Sequence, residues 1–415
     1  LIVRRIQLGV WMSLLFDQVI KRFIRTGSLT IIMPDGSIRR YEGSPGPKAA
    51  MRIKTDEALR ALIVNSGLAF GEGYMDGLIE PVDGTLEDVL LVLMTNMQDS
   101  HHIFNRLESG FRFLTRRVRQ FNDRRRSRRN VEHHYDLNGE LYRLFLDRDR
   151  QYSCAYFAQD DMTLEEAQLA KKRHIAAKLK FDRPDLGVLD IGCGWGGMAL
   201  TLAKEFGARV TGVTLSQEQL QAARQRAADE GLSDRVRFEL CDYRAIRHQF
   251  DRIVSVGMFE HVGIGHYDQF FRTVHERLKP DGVALVHSIG RSDGPGSTNP
   301  WINKYIFPGG YSPALSETLG AVERAGLWVT DCEVLRLHYA KTIAIWRQRF
   351  AANRDRILAL YDERFYRMFD FYLTGAELSF RVQGHMNFQL QLTRSIDAVP
   401  LTRDYMFEAE RAAAM

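Results

Sequence analysis

"VLDIGCGWGG", residues 188–197, places four glycines in its last six positions, directly behind an apolar run. Val188, Leu189 and Ile191 predict a buried parallel strand, and "GMALTLAKEF" (197–206) predicts the helix that follows. The glycines therefore fall at a strand-to-helix turn, where bare backbone lets N–H groups approach a ligand closely. By spacing, Gly192, Gly194 and Gly197 satisfy G-x-G-x-x-G, a match that leaves nicotinamide, phosphate and other ligands all open.

Downstream of this turn, helix and strand alternate. "ARVTGVTL" (208–215) is strand-like, and "SQEQLQAARQRAADEG" (216–231) predicts a helix with Ser216 as N-cap and Gln219 at the capping-box position. "RVRFELCDY" (235–243), "FDRIVSVGM" (250–258) and "GVALVHSIG" (282–290) predict three more strands. The alternation predicts an α/β fold, a doubly wound, mostly parallel sheet with helices on both faces and its ligand at the carboxyl ends of the strands. Residues 290–312 interrupt it with "GRSDGPGSTNPWINKYIFPGGY", a Gly/Pro-rich run longer than a connection requires and so a candidate active-site cover.

A nicotinamide site wants an acidic residue at the end of the second strand, for the ribose hydroxyls. Thr214, Leu215 and Ser216 stand there instead, and the acid appears at the end of the third strand, in Asp242-Tyr243. A carboxylate beside an aromatic suits the amino group and face of an adenine, and Asp190 stands immediately before the glycine turn. This pattern fits S-adenosylmethionine better than a dinucleotide, because the glycines then make room for an amino-acid tail and a sulfonium centre.

Ahead of this region, "SLTIIMPDGSIRRYEG" (28–43) predicts a hairpin about a Pro-Asp-Gly-Ser turn. "TDEALRALIVNS" and "TLEDVLLVLMTNM" predict helices, the first capped near Thr55 or Asp56. We divide the chain into a small N-terminal α+β domain (1–110), an arginine-rich linker (111–130) and a catalytic domain (131–415). Residues 1–130 carry 21 Lys and Arg against 14 Asp and Glu, and "FRFLTRRVRQFNDRRRSRR" (111–129) holds nine arginines against one aspartate. Such a block is either a solvated linker or a grip on polyanions, with phospholipid headgroups and nucleic acid as the candidates. In "LIVRRIQLGVWMSLLFDQVIKRFI" (1–24), Asp17, Lys21 and Arg22 follow the apolar stretch without a small-residue cleavage site. An amphipathic helix is expected, with Leu8, Met12, Leu15, Val19 and Phe23 as the apolar stripe, docking on the protein itself in preference to the alternative of lying on a membrane. No run reaches the length of a membrane span. The four cysteines, Cys154, Cys193, Cys241 and Cys332, form no C-x-x-C pair, which argues against disulfides and structural zinc and fits a reducing cytoplasm.

Eight stretches in order, "HHYDLNGELYRLFLD", "YSCAYF", "VLDIGCGWGG", "GVTLSQEQ", "DRIVSVGMFEHVG", "LVHSIG", "WINKYIFPGGYSP" and "HYAKTIAIW", resemble the motif series of cyclopropane-fatty-acyl-phospholipid synthases and mycolic acid cyclopropane synthases. The resemblance covers about 133–392, and "MPDGSIRRYEG…AFGEGYMDG" resembles the extra N-terminal domain of the full-length bacterial enzymes. It implies a seven-stranded Rossmann-like class I methyltransferase sheet. It also implies S-adenosylmethionine contacts at Tyr152, Ser153, Asp190, Gly192, Gly194, Trp195, Gly196, Thr214, Leu215, Gln219, Asp242 and Tyr243. "NGELY" after Tyr135-Asp136 departs from the family's usual sequence in the substrate-facing lid, which bears on chain preference and not on reaction type.

The implied reaction adds a methylene across a cis double bond of a phospholipid acyl chain. It passes through a carbocation that aromatic faces can stabilise, and Phe365, Tyr366, Phe369, Phe371, Tyr372 and Phe380 are candidate rings. Most of them are expected to be helix core. The base implied by the resemblance is a bound bicarbonate, its ligands mapping onto Cys154, Glu260, His287, Ile289 and Tyr339. Glu260 cannot donate a hydrogen bond while ionised, so it is expected to share a proton or to orient His287. A metal on this Cys/Glu/His set is not expected, because the ligands lack any metal-site spacing. The alternatives are a methyltransferase of the same family that stops at a methyl or methylene branch and, more remotely, a nucleic-acid methyltransferase. Against the latter, "GMFEHVG" stands where an Asn-Pro-Pro-Tyr-type loop would be, and the arginine block lacks interleaved aromatics. The expected partner is lipid rather than nucleic acid: peripheral association with the inner face of the cytoplasmic membrane, the arginines on anionic headgroups. The family also suggests a homodimer.

Overall fold

The computed structural model of the protein describes residues 14–99 and 139–414. The arginine block 111–129, the first thirteen residues and the lid stretch 133–138 lie outside the described residues. The chain forms two compact units.

In the N-terminal unit, strands β1 (Thr26–Ile32), β2 (Ile38–Glu42), β3 (Ser44–Ile53) and β4 (Ile79–Val82) make a sheet in the order β2-β1-β3-β4. β1 runs parallel to β3, and the two outer pairs are antiparallel. The expected hairpin turn is present, with Asp35 Oδ1 accepting from the Ser37 N–H at 2.9 Å and its hydroxyl at 2.6 Å. Leu29, Ile31, Met51 and Ile53 form a buried face against Leu59, Leu62, Val89 and Val92 of helices Asp56–Met75 and Leu86–Asp99. Thr55 caps the first helix, its side chain accepting from the Ala58 N–H. A helix over 14–23 docks here too, but by Phe16, Ile20 and Phe23, leaving Leu15 and Val19 exposed. The expected stripe is therefore rotated, because Asp17 faces the sheet and accepts a hydrogen bond from the Tyr41 hydroxyl at 2.8 Å.

Unit boundaries differ from the linear division at 111–130. Thr298–Ile306 and Ile343–Gly384 belong to the N-terminal unit. The cause is apolar burial on helix Glu363–Val382: Leu378 packs with Leu86 and Leu90, and Phe371 lies against Phe70 and Tyr74 with ring centroids about 6 Å apart. Tyr74 donates to Asp370 Oδ2 at 2.7 Å, and Arg347 pairs with both Glu87 and Glu377. The aromatic run 365–380 is thus core of this unit, as the stacked Phe350–Phe369 and Tyr361–Phe365 rings also indicate.

In the other unit, β5 (Gly187–Ile191), β6 (Arg209–Thr214), β7 (Val236–Leu240), β8 (Phe250–Val256), β9 (Leu278–Arg291), β10 (Trp328–Val334) and β11 (His385–Thr393) form one sheet. Its order is β10-β11-β9-β8-β5-β6-β7, with β11 the one antiparallel strand. The expected doubly wound, mostly parallel seven-stranded sheet is what the chain adopts. Strand order reverses between β5 and β8, and such a reversal opens a crevice beyond the strand ends. Helices Leu164–Leu179, Gly197–Phe206 and Gln217–Asp229 flank the sheet, while a short 3-10 turn, Tyr243–Ala245, replaces a helix between β7 and β8. Among the described residues no helix is long and apolar enough to cross a membrane.

Candidate active site

A cavity opens beyond the carboxyl ends of β5, β6 and β7. The strand-to-helix turn after β5 forms its floor, with Gly192 at φ +80° and Gly194 at +53°. A Cβ on Gly192 would stand 2.8 Å from Met258, whereas one on Gly194 would meet nothing within 4 Å. Bare backbone at 194 therefore faces open space. Gly197 has another purpose. Its Cβ would lie 2.3 Å from Asp149 Oδ2, so the third glycine of the spacing motif admits a protein carboxylate at the helix N-terminus. Lys172 and Arg226 neutralise that carboxylate and hold it below its ordinary range against the opposing effect of burial.

Tyr152, Ser153, Asp190, Gly192, Gly194, Trp195, Thr214, Leu215, Gln219, Asp242 and Tyr243 all line the cavity. Gly196 shapes it indirectly, as the turn residue (φ +85°) packed on Phe238. The Asp190 carboxyl is buried, its Oδ2 has no hydrogen-bond partner, and burial raises its pKa to about 7. Thr214 donates to Gln219 Oε1 at 2.8 Å, and Ser216 accepts from the Gln219 N–H. Ser216 caps its helix as expected, but the Gln219 side chain turns to Thr214 instead of completing a capping box.

Other features of the cavity are not among the expected contact residues. Both Asp242 oxygens are engaged by the Arg244 guanidinium, at 2.8 and 2.6 Å, so this carboxylate at the cavity wall is held rigid by a neighbour two residues on. Tyr142 and Phe145, from helix Gly139–Phe145, stand against Tyr152, and Tyr142 also against Trp195, completing an aromatic wall. Their i, i+3 spacing was the available signal. His261 and the Pro308–Gly309 end of the long Gly/Pro run also line the cavity. The middle of that run instead forms helix Pro300–Tyr305, capped by Asn299, in the N-terminal unit.

Of the second group of residues, Glu260, His287 and Ile289 gather at β9 and the turn that follows β8. Met258, His261 and Val262 face the cavity, and Glu260 between them turns to β9, where Oε1 accepts from the Ile289 N–H at 2.6 Å. Its Oε2 is buried with no partner within hydrogen-bond geometry, and burial raises the carboxyl to about 7 against the lowering effects of that N–H, of its own N–H and of the Ser288 hydroxyl. Glu260 does not orient His287, contrary to one of the two roles expected of it. The His287 ring lies between Gln389 Nε2, 3.2 Å from Nδ1, and Asn387. Burial, with Lys171 and Lys178 nearby, keeps that imidazole neutral. Gly257 donates to the His287 carbonyl, and an ideal Cβ on Gly257 would stand 3.9 Å from Ser153 Cβ, so the 152–155 segment passes alongside. Cys154 is fully buried and stays a thiol. The adjoining Ala155 N–H donates to Thr342 Oγ1, one helical turn from the buried Tyr339. Among the described residues no three His, Cys, Asp or Glu side chains cluster as metal ligands.

The parallel sheet, the glycine turn at its reversal point and the acid-aromatic pair after the third strand define a class I S-adenosylmethionine-dependent methyltransferase. Its residues suit that cofactor: an open cradle at Gly194, an unpartnered buried Asp190 oxygen, and a rigid Asp242 beside Tyr243. The chain belongs to the mycolic acid cyclopropane synthetase family, whose model matches residues 122–390. A second model, for a domain of unknown function, matches residues 15–103. Cyclopropane-fatty-acyl-phospholipid synthase of Escherichia coli K12 is 38% identical over 351 residues, covering 84% of this chain and 89% of that protein. Tuberculostearic acid methyltransferase of Mycobacterium tuberculosis is 35% identical over 382 residues, covering 88% and 87%. The structure of mycolic acid cyclopropane synthase CmaA1 with SAH and CTAB superposes at a TM-score of 0.60 with 36% identity, covering 64% of this chain and 97% of that one. The chain is accordingly a lipid-directed cyclopropane or methyl transferase.

Proposed function

We propose that this enzyme adds a methylene from S-adenosylmethionine to the cis double bond of an unsaturated acyl chain in a membrane phospholipid, closing a cyclopropane ring. The observation that carries the reading is Glu260: a buried carboxyl with one oxygen bound to Ile289, the other unpartnered, in a segment whose neighbours line the cofactor cavity.

S-Adenosylmethionine, when bound, supplies an electrophilic sulfonium methyl to the alkene π electrons, leaving a cation on the acyl chain and S-adenosylhomocysteine. Ring closure then needs one proton removed from the added methyl, and bicarbonate, when bound, supplies the base. The residues fit such an anion. Glu260, its carboxyl raised by burial to about 7, can carry a proton at the unpartnered Oε2 and donate it to an oxyanion. The neutral His287 ring, the Cys154 thiol and the Tyr339 hydroxyl are further uncharged donors. Ile289 donates to Glu260, and so contributes by fixing that carboxyl. Burial of the group excludes water, the competing nucleophile for a carbocation.

The similarity to a tuberculostearic acid methyltransferase supports a second reading, in which proton loss from the chain, or a 1,2-hydride shift followed by proton loss from the added methyl, leaves a methyl-branched or methylene-branched alkene in place of a ring. The arginine block would hold the enzyme at anionic membrane surfaces at roughly 1 kcal/mol per engaged residue. The test is incubation with S-adenosylmethionine and vesicles of cis-monounsaturated phospholipid, followed by gas chromatography and mass spectrometry of the fatty acid esters. A product one methylene heavier that takes up no hydrogen under mild conditions for reducing alkenes supports the ring. A methyl or methylene branch supports the second reading, and absence of any lipid product sinks both.

A further inference from the structure

Gln389, buried in the antiparallel strand β11, makes a hydrogen bond at each end of its amide. Lys178 Nζ lies 2.8 Å from one end and His287 Nδ1 lies 3.2 Å from the other. An ammonium carries donors only, so the end facing Lys178 is the carbonyl oxygen and the end facing His287 is the NH2. That NH2 needs an acceptor, so Nδ1 presents its lone pair and the neutral ring carries its proton on Nε2.

Lys178 is in turn held in place. It pairs with Glu333 and lies 3.7 Å from Asp331. Glu333 Oε2 stands 2.6 Å from His174 Nε2, and His174 Nδ1 stands 2.9 Å from Glu410 on the last helix. His174, between two carboxylates, is the imidazolium that completes a row of alternating charges. On the Nε2 side the Asn387 amide nitrogen Nδ2, itself a donor, lies 3.5 Å away, while Oδ1 is buried and unpartnered. A half-turn of that amide would shelter the Nε2 proton until a stronger acceptor arrives.

We propose that Lys178 and Gln389 are positioning residues that lock His287 as its Nε2–H tautomer. The imidazole then donates to an oxyanion at the base site and takes no proton itself. The catalytic half rests on the base-site reading above; the tautomer stands without it.

Protein labelled with 15N-histidine, with a His287→Asn spectrum to assign the signal, reports which ring nitrogen carries the proton. The expected wild-type result is a protonated Nε2 and an unprotonated Nδ1. Gln389→Glu keeps a partner for Lys178 but offers His287 an acceptor, so the proton moves to Nδ1. Lipid product formation then falls at least about tenfold with cofactor binding retained, since a catalytic histidine in the wrong tautomer can cost on the order of 10⁴. Should that variant not fold, the wild-type spectrum still decides the lock. A protonated Nδ1 in the wild type overturns it. A reversed tautomer with undiminished product formation overturns the positioning role. A wild type with the expected tautomer and no lipid product leaves the lock supported and removes the base-site reading.

Discussion

The Ile289 amide donates to Glu260 Oε1 at 2.6 Å while Glu260 Oε2 stays buried without a partner, so a single carboxyl is both anchored and left able to carry a proton. With its pKa near 7, the protonated fraction falls as pH rises through neutrality. Product formation should therefore decline along a limb near pH 7. Glu260→Gln keeps the acceptor for Ile289 but cannot titrate. We expect at least about a tenfold lower rate and loss of that limb, read from rates between pH 5.5 and 9. An unchanged profile would remove Glu260 from the proton chemistry.

Asp190 carries a stability signature. Its folded pKa, about 7, lies above the ordinary aspartate value of 3.8. The favourable burial of the neutral form is complete below 3.8 and is lost as pH rises through 7. Asp190→Asn should therefore raise the melting temperature of the ligand-free protein at pH 8, by the equivalent of ~4 kcal/mol at most, and leave it nearly unchanged at pH 4. The same variant should bind S-adenosylmethionine at least roughly tenfold more weakly, since the carboxylate that could face the sulfonium is gone. Equal melting shifts at both pH values would contradict the burial argument.

Two glycine substitutions separate cradle from scaffold. Gly194→Ala meets open space and costs about 1 kcal/mol of backbone strain, so the fold survives while cofactor binding weakens. Gly192→Ala drives a methyl into Met258 and should lose stability and binding together. Calorimetric unfolding beside cofactor titration distinguishes the two. Wild-type affinity in Gly194→Ala would show that no ligand lies there.

Arg244 is the test of the Asp242 clamp. Arg244→Ala removes the guanidinium from both carboxylate oxygens, leaving the backbone N–H of residue 244 on Oδ1, and should weaken cofactor binding by roughly tenfold, the scale of one charge-assisted contact. Titration calorimetry with S-adenosylhomocysteine checks this, and an unchanged affinity would mean that Asp242 is not a contact.

For the arginine block, binding to vesicles rich in anionic lipid should fall steeply between low and physiological salt, and replacing Arg124, Arg125, Arg126, Arg128 and Arg129 by serine should abolish most of it. Sedimentation independent of salt and of lipid charge would leave the block as a linker.

Short-range patterns carried the parallel sheet, the hairpin, the helix caps and the glycine turn, because each depends on residues within one or two turns of chain. The lining of the cavity could be read for the same reason: its residues stand at the ends of consecutive strands, and topology brings strand ends together. Contacts between distant residues could not be read this way. Glu260 meets Ile289 across 29 residues, and Lys178 meets Gln389 across 211. Which of several buried donors and acceptors find each other follows from strand register, not from composition. Helix Glu363–Val382 joins the N-terminal unit because its apolar stripe finds Leu86, Leu90 and Phe70 there, a pairing that nothing local specifies. The sequence alone thus decided fold class and cofactor. Only tertiary packing decided which carboxyl keeps a proton and which histidine nitrogen bears one, since both depend on desolvation and on partners that folding alone supplies.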